Sequence, residues 1–170
     1  MKTCIIVALS ALVLALAPVE SVRAQENQKA DADAEFLSKV IPGIASSVKI
    51  IEYAQKNASD EQVRDFAQRV ATQHKESVKT ASEHAKRLNV AVVADPDKDS
   101  KATIDEWSKL KGADLDVAFL KWLSHIHHDT TVFENEVKNG ADAEVRTYAK
   151  NSITAGNEHL KEARELLDKK

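Results

Sequence analysis

Histidine is the residue type in this chain best suited to chemistry, and three of its six histidines crowd into residues 119–137, "FLKWLSHIHHDTTVFENEV". Imidazole nitrogen suits zinc, nickel, copper(II) or iron. Whether these rings can act together depends on where a helix would aim them. Successive residues step by about 100°, which puts Phe119, Trp122, Leu123, Ile126, Thr130, Phe133 and Val137 on one core face. His128 then points almost directly away, while His125 and His127 fall on opposite flanks, about 90–110° off centre. His128 is therefore a surface residue. The run is not a three-ligand cluster, since only one or two of its members can look inward.

A better set comes from three separate segments. His74 lies within about 20° of the centre of a stripe made by Val63, Val70, Ala81 and Leu88. His159 falls inside the stripe of Val145, Tyr148, Ser152, Gly156, Ala163 and Leu166. His74 is 14 residues past Asp60, and His127 is 13 past Asp114. On parallel helices both rings would lie about 20 Å from the same end. His159, nine residues before Asp168, would lie about 13–14 Å from that end on an antiparallel helix. The mismatch is roughly one turn. His74, His127 and His159 are thus candidate metal ligands in one mid-bundle layer. The alternative is three neutral core histidines, each with its own hydrogen bond. His84, His125 and His128 read as solvated.

The elements that must position these residues are helices. Glycine and proline number only four and three, and the long segments repeat at helical spacing. A first helix is expected over 33–57, with Leu37, Val40, Ile41, Ile44, Val48 and Ile51 on one face. Pro42-Gly43 should kink it. A second starts at "SDEQ", where Ser59 and Gln62 have capping-box spacing, and runs through Leu88. Residues 90–113 form a long connection, irregular in "VAVVADPDKDS" and helical in "KATIDEWSKLKG", with Gly112 closing the short helix. Asp114 caps a third long helix ending near Gly140, and Asp142 caps a fourth reaching about Asp168. This is an all-α four-helix bundle. The two short turns force antiparallel neighbours, and the connection of 24 residues is long enough to start the third helix at the same end as the second. That is ferritin-like topology with a long crossover carrying a short helix.

The start of the chain reads as a targeting segment. Lys2, the apolar run from Cys4 to Ala17, and Val22-Arg23-Ala24 before a break predict a secretory signal peptide over residues 1–24. The run is too short for a membrane anchor. Residues 25–32 are expected to lack regular structure, and 33–168 form the domain. Cleavage removes Lys2, Arg23 and Glu20, so 24 basic and 27 acidic residues become 22 and 26. No basic block stands out, which argues against nucleic acid as a partner. Beyond the signal there is no cysteine or methionine. Disulfides, thiolate catalysis and sulfur ligands are therefore excluded, and any metal must be held by nitrogen and oxygen.

The pieces "AQKNASDEQVRDFA", "FAQRVATQH", "KGADLD", "LDVAFLKWLSHIH" and "AGNEHLKEA" occur in this order over about residues 32–168. Together they resemble the ferritin-like family of exported bacterial proteins catalogued only as a domain of unknown function. The resemblance implies a ferritin-like fold, a periplasmic or secreted location, and histidines at 74, 127 and 159. It supplies no activity. Two departures matter. Ser47 stands where family members often carry glutamate, and Glu52 is too far along to replace it. No Glu-x-x-His pair occurs in the chain, so ferritin's di-iron chemistry, which needs such pairs, is not supported. No nucleophile–base pair, phosphate loop or paired carboxylates emerge either. The expectation is a non-enzymatic envelope protein whose charged faces meet a protein partner. The alternative is a divalent-metal or stress-protection protein using the histidine layer.

Overall fold

The structure is a computed structural model that describes the backbone of residues 19–170 except 94, and side chains from residue 32 except 94, 96, 97 and 99. Most of the expected signal segment, residues 1–18, lies outside the described residues. Six helices are described: α1 (Val19–Asn57), α2 (Glu61–Arg87), α3 (Pro96–Trp107), α4 (Ala113–His128), α5 (Thr131–Asn139) and α6 (Ala143–Leu167). No strand occurs among the described residues, and none of their helices is long and apolar enough to cross a membrane.

Several expected boundaries move. Helix α1 begins at Val19, so residues 25–32 are helical and not irregular. It continues through Pro42, although proline has no amide to give to the helix. Asp60 caps α2, accepting Gln62 N at 2.7 Å, because Ser59 is turned away to another partner. The short helix starts earlier than expected, at Pro96, with Asp95 as its cap. Gly112 does not close it: with φ +56 it precedes α4, in the left-handed region glycine tolerates. Asp142 caps α6 as expected, accepting Glu144 N and Val145 N at 3.0 Å.

The third long helix is broken. Asp129 is extended and accepts Thr131 N at 3.0 Å, which stops α4 and starts α5. The break changes which face is inward. Val137, expected in the core, is exposed, and its neighbour Glu136 is buried instead. One residue is a rotation of about 100°.

Helices α1 and α2 pack as one antiparallel hairpin, α4–α5 and α6 as the other, and α3 lies on α1. Two buried aspartates join the hairpins. At one end Asp116 of α4 accepts Ser59 N at 2.8 Å, Ser59 Oγ at 2.7 Å and Asp60 N at 3.1 Å, all in the α1–α2 turn. At the other end Asp33 of α1 accepts Ala141 N and Asp142 N, both at 3.0 Å, in the α5–α6 turn. Arg87 pairs with Asp142 at that second end, and Lys170 with Asp60 at the first. These contacts make α2 and α4 start together and run parallel, so the connection after α2 crosses the length of the bundle.

The apolar core is divided in two. Phe66, Phe119, Leu120, Leu123 and Trp107 belong to a cluster near the Asp116 end. Phe36, Leu37, Val145, Tyr148 and Ala149 belong to another near Asp33. Beside the second cluster, Glu136 is fully buried and its oxygens have no hydrogen-bond donor among the described residues. A methyl group added at Gly140 would collide with Glu136 Oε1 and lie 2.8 Å from Asp33 Oδ1, which explains the glycine there.

Because Asp116 satisfies three donors at a buried turn, Asp116→Ala should lower the unfolding free energy by about 2–4 kcal/mol, the cost of stranding them. Urea denaturation measures this. A loss within the ordinary range for surface substitutions, about 0.5 kcal/mol, would remove the aspartate's clamping role.

Candidate functional site

Between the two apolar clusters lies a polar layer. From α1 it takes Ser46 and Ser47, both buried. From α2 it takes His74, which follows Val70 and Ala71 of one cluster and precedes Ala81 of the other. His127 ends the α4 contribution just before the break, and His159 comes from α6, buried like His74. The rings of His74 and His127 are 5.4 Å apart, those of His74 and His159 5.8 Å, and those of His127 and His159 4.9 Å. One nitrogen from each comes within 4.8 Å of the other two. All three residues singled out by stripe and depth meet in one place.

The remaining histidines do not join them. His125 and His128 are exposed, as expected. His84, expected on a solvated face, is half-buried, with its ring 6.0 Å from Tyr148 and its Nδ1 3.8 Å from Glu144. Glu52 forms an ion pair with Lys75 at 2.6 Å, so it supplies no carboxylate to the layer.

Hydrogen bonds set which nitrogens are available. Ser47 Oγ donates to the Ile44 carbonyl at 2.7 Å. Its one proton is thereby used, so at 2.8 Å it accepts from His74 Nδ1–H. The lone pair of His74 is thereby left on Nε2. His159 Nε2 donates to Gln73 Oε1, which leaves the Nδ1 lone pair of His159 towards His127 Nε2, 3.3 Å away. Orienting partners of this kind fix the tautomer of a metal-binding histidine. Two ligands on a tetrahedral zinc ion at about 2.0–2.1 Å stand about 3.3–3.4 Å apart, and the His127–His159 pair already has that separation. Gly156 makes room for it, since a Cβ there would sit 3.0 Å from His127 Nδ1.

Burial suppresses protonation of this layer. It pushes His74 down to about 3, helped by the charges that His127 and His159 would carry, and His127 down to about 4, helped by His159. His159 is also lowered, chiefly by burial. Neutral imidazole is the form that binds metal. Glu136 is shifted the other way, up to about 8, by burial and then by the neighbouring Asp33.

Sequence reasoning missed Ser47 as a partner, treating it only as a lost glutamate, and missed Gln73 and Glu136. Ser47 was findable: it lies 27 residues before His74, across a short turn, on a helix of matching depth.

These shifts predict a stability maximum near pH 6.5. Unfolded histidine takes a proton near 6.5, well before His74 or His127 does in the fold. The unfolded chain therefore gains protons first, and stability falls below pH 6.5 by about 2 kcal/mol for each of the two by pH 5. Glu136 contributes oppositely. Its stabilisation is complete below its unfolded value of 4.5 and is lost as pH rises through about 8. In urea titrations across this range, Glu136→Gln should flatten the alkaline limb and His74→Leu should make the acid limb shallower. Limbs that keep their slopes in these variants would assign the titration elsewhere.

No curated protein and no solved structure matches the chain. A family model does match, over residues 18–166. That span holds both hairpins, both aspartate clamps and the whole histidine layer. By this match the chain belongs to the family described as Domain of unknown function (DUF4142).

Proposed function

We propose that this protein is an exported, ferritin-like helical bundle that binds one divalent metal ion through His74, His127 and His159. The observation that carries the reading is the convergence of three imidazole nitrogens within 4.8 Å of one another, from three different helices. The ordering of donors by Ser47 and Gln73 supports it further. The set is purely nitrogen and leaves a coordination position open. That favours zinc, with nickel, copper(II) and iron as other ions imidazole accepts. The reading as a non-enzymatic envelope protein with hydrogen-bonded core histidines is supported by the same Ser47 and Gln73 contacts. It differs in expecting no response to metal. Export rests on the apolar run and small-residue site at residues 1–24. The ferritin-like reading rests on the long crossover between parallel helices.

Metal decides between the two readings. A ligand at a hundred times its dissociation constant stabilises the fold by about 2.7 kcal/mol, a melting shift of roughly 5–10 °C for a domain of this size. Untagged protein stripped with chelator should show this shift with zinc at neutral pH. His74→Leu should lose it while the metal-free variant stays folded, since leucine suits the space between the apolar clusters. Unchanged melting with zinc, manganese, iron, nickel and copper(II) would leave the hydrogen-bonded core as the role of these histidines.

A further inference from the structure

The histidine layer forms one wall of a cavity of about 840 Å³, within the range of small-molecule sites. The cavity is built into the fold in two ways. Asp129 and Thr130, where the third long helix breaks, line it, so the chain interrupts its helix beside His127. Gly43, in the middle of α1, lines it as well, and a Cβ added there would meet nothing within 4 Å. Glycine is disfavoured inside a helix, and here its position borders open space. The remaining walls set the apolar side chains of Val40, Ile44, Trp122, Ile126 and Phe133 among polar and charged ones that include Lys39, Glu76 and Glu144.

The chemistry of the two sides differs. Three neutral imidazoles leave both charges of a divalent ion unbalanced: among the described residues no carboxylate or thiolate joins the group, and Glu76, Asp129 and Glu144 line the cavity outside it. An anionic fourth ligand offsets that charge in a desolvated setting. Away from the histidines, the apolar side chains favour hydrocarbon. We propose that the cavity takes a medium-chain alkyl carboxylate, its carboxylate on the open metal position and its tail along Val40, Ile44 and Phe133. The proposal rests on the metal reading above, and its test separates the two.

Cobalt(II) serves as the probe, added to untagged, chelator-stripped protein, because its visible bands report both binding and a change of ligand. Bands should appear on adding cobalt alone. Octanoate should then change them at concentrations at least a hundredfold below those acetate needs, since each buried methylene strengthens binding about three- to fourfold. Gly43→Phe, which fills space where a Cβ meets nothing within 4 Å, should keep the cobalt bands but cut octanoate's advantage over acetate at least tenfold. If no bands form, the metal reading fails and this proposal with it. If bands form but neither carboxylate alters them, the metal site stands and the carboxylate ligand is overturned. Equal responses to acetate and octanoate, or an undiminished octanoate effect in Gly43→Phe, would overturn the placement of the tail.

Discussion

Asp33 and Asp116 each reach out of one helical hairpin and accept the backbone amides of the turn in the other. Both carboxylates are buried, so a hairpin that slid along its neighbour would strand a charge and two or three donors at once. The register between hairpins is therefore fixed from both ends. A shift of one helical turn would move a side chain by about 5.4 Å, more than the 4.8 Å that spans the three histidine nitrogens. The layer can meet only because the turns far from it are clamped.

The two clamps are copies of one another in sequence. "DAEFL" from Asp33 matches "DVAFL" from Asp116, and "DEQVRDFA" from Asp60 matches "DAEVRTYA" from Asp142. The matching arginines behave alike as well: Arg64 donates to the Ala58 and Ser59 carbonyls, and Arg146 to those of Gly140 and Ala141. The first anchors are separated by 83 positions and the second by 82, so the second hairpin is one residue shorter. In an unbroken helix that deletion would turn everything after it by about 100°. The interruption at Asp129–Thr130 lies within the shortened interval and absorbs the rotation. Repetition stops at the middle of the bundle. Counted along the same offsets, His74 corresponds to Gly156, His127 to Ile44 and His159 to Ser77. The ends of the bundle repeat a scaffold, and its middle is where the two halves diverge.

This division explains what could be read from the chain beforehand. Regular spacing carried the long helices and the depth of His74, His127 and His159, because α2 and α6 are continuous and each is capped by an aspartate at its start. The same arithmetic failed beyond His128. It assumed one helix from Asp114 to Gly140, so it put Val137 inside and had no place for Glu136. The "HDTT" stretch held the missing signal, since aspartate and threonine side chains compete with helix hydrogen bonds by binding nearby amides. Ser47 was overlooked for a different reason. Its importance lies in a bond to another helix, which periodicity within one helix cannot express.

The layer's hydrogen bonds leave an asymmetry that bears on its use. His159 has partners for both ring nitrogens, and His127 Nε2 is engaged with it. His74 has one partner, Ser47, and no described hydrogen bond at Nε2. That nitrogen is not sealed in: the sealed, unpartnered side-chain atoms among the described residues are Ser124 Oγ and the two oxygens of Glu136. His74 instead borders the cavity. A core that merely tolerated histidine would turn each ring to satisfy both nitrogens or seal the spare one against apolar atoms. Here Ser47 spends its proton on the Ile44 carbonyl and accepts from His74 Nδ1–H, which leaves the lone pair of His74 on Nε2. Ser47, a neutral residue, thus holds one ring of the layer in place without adding charge to it.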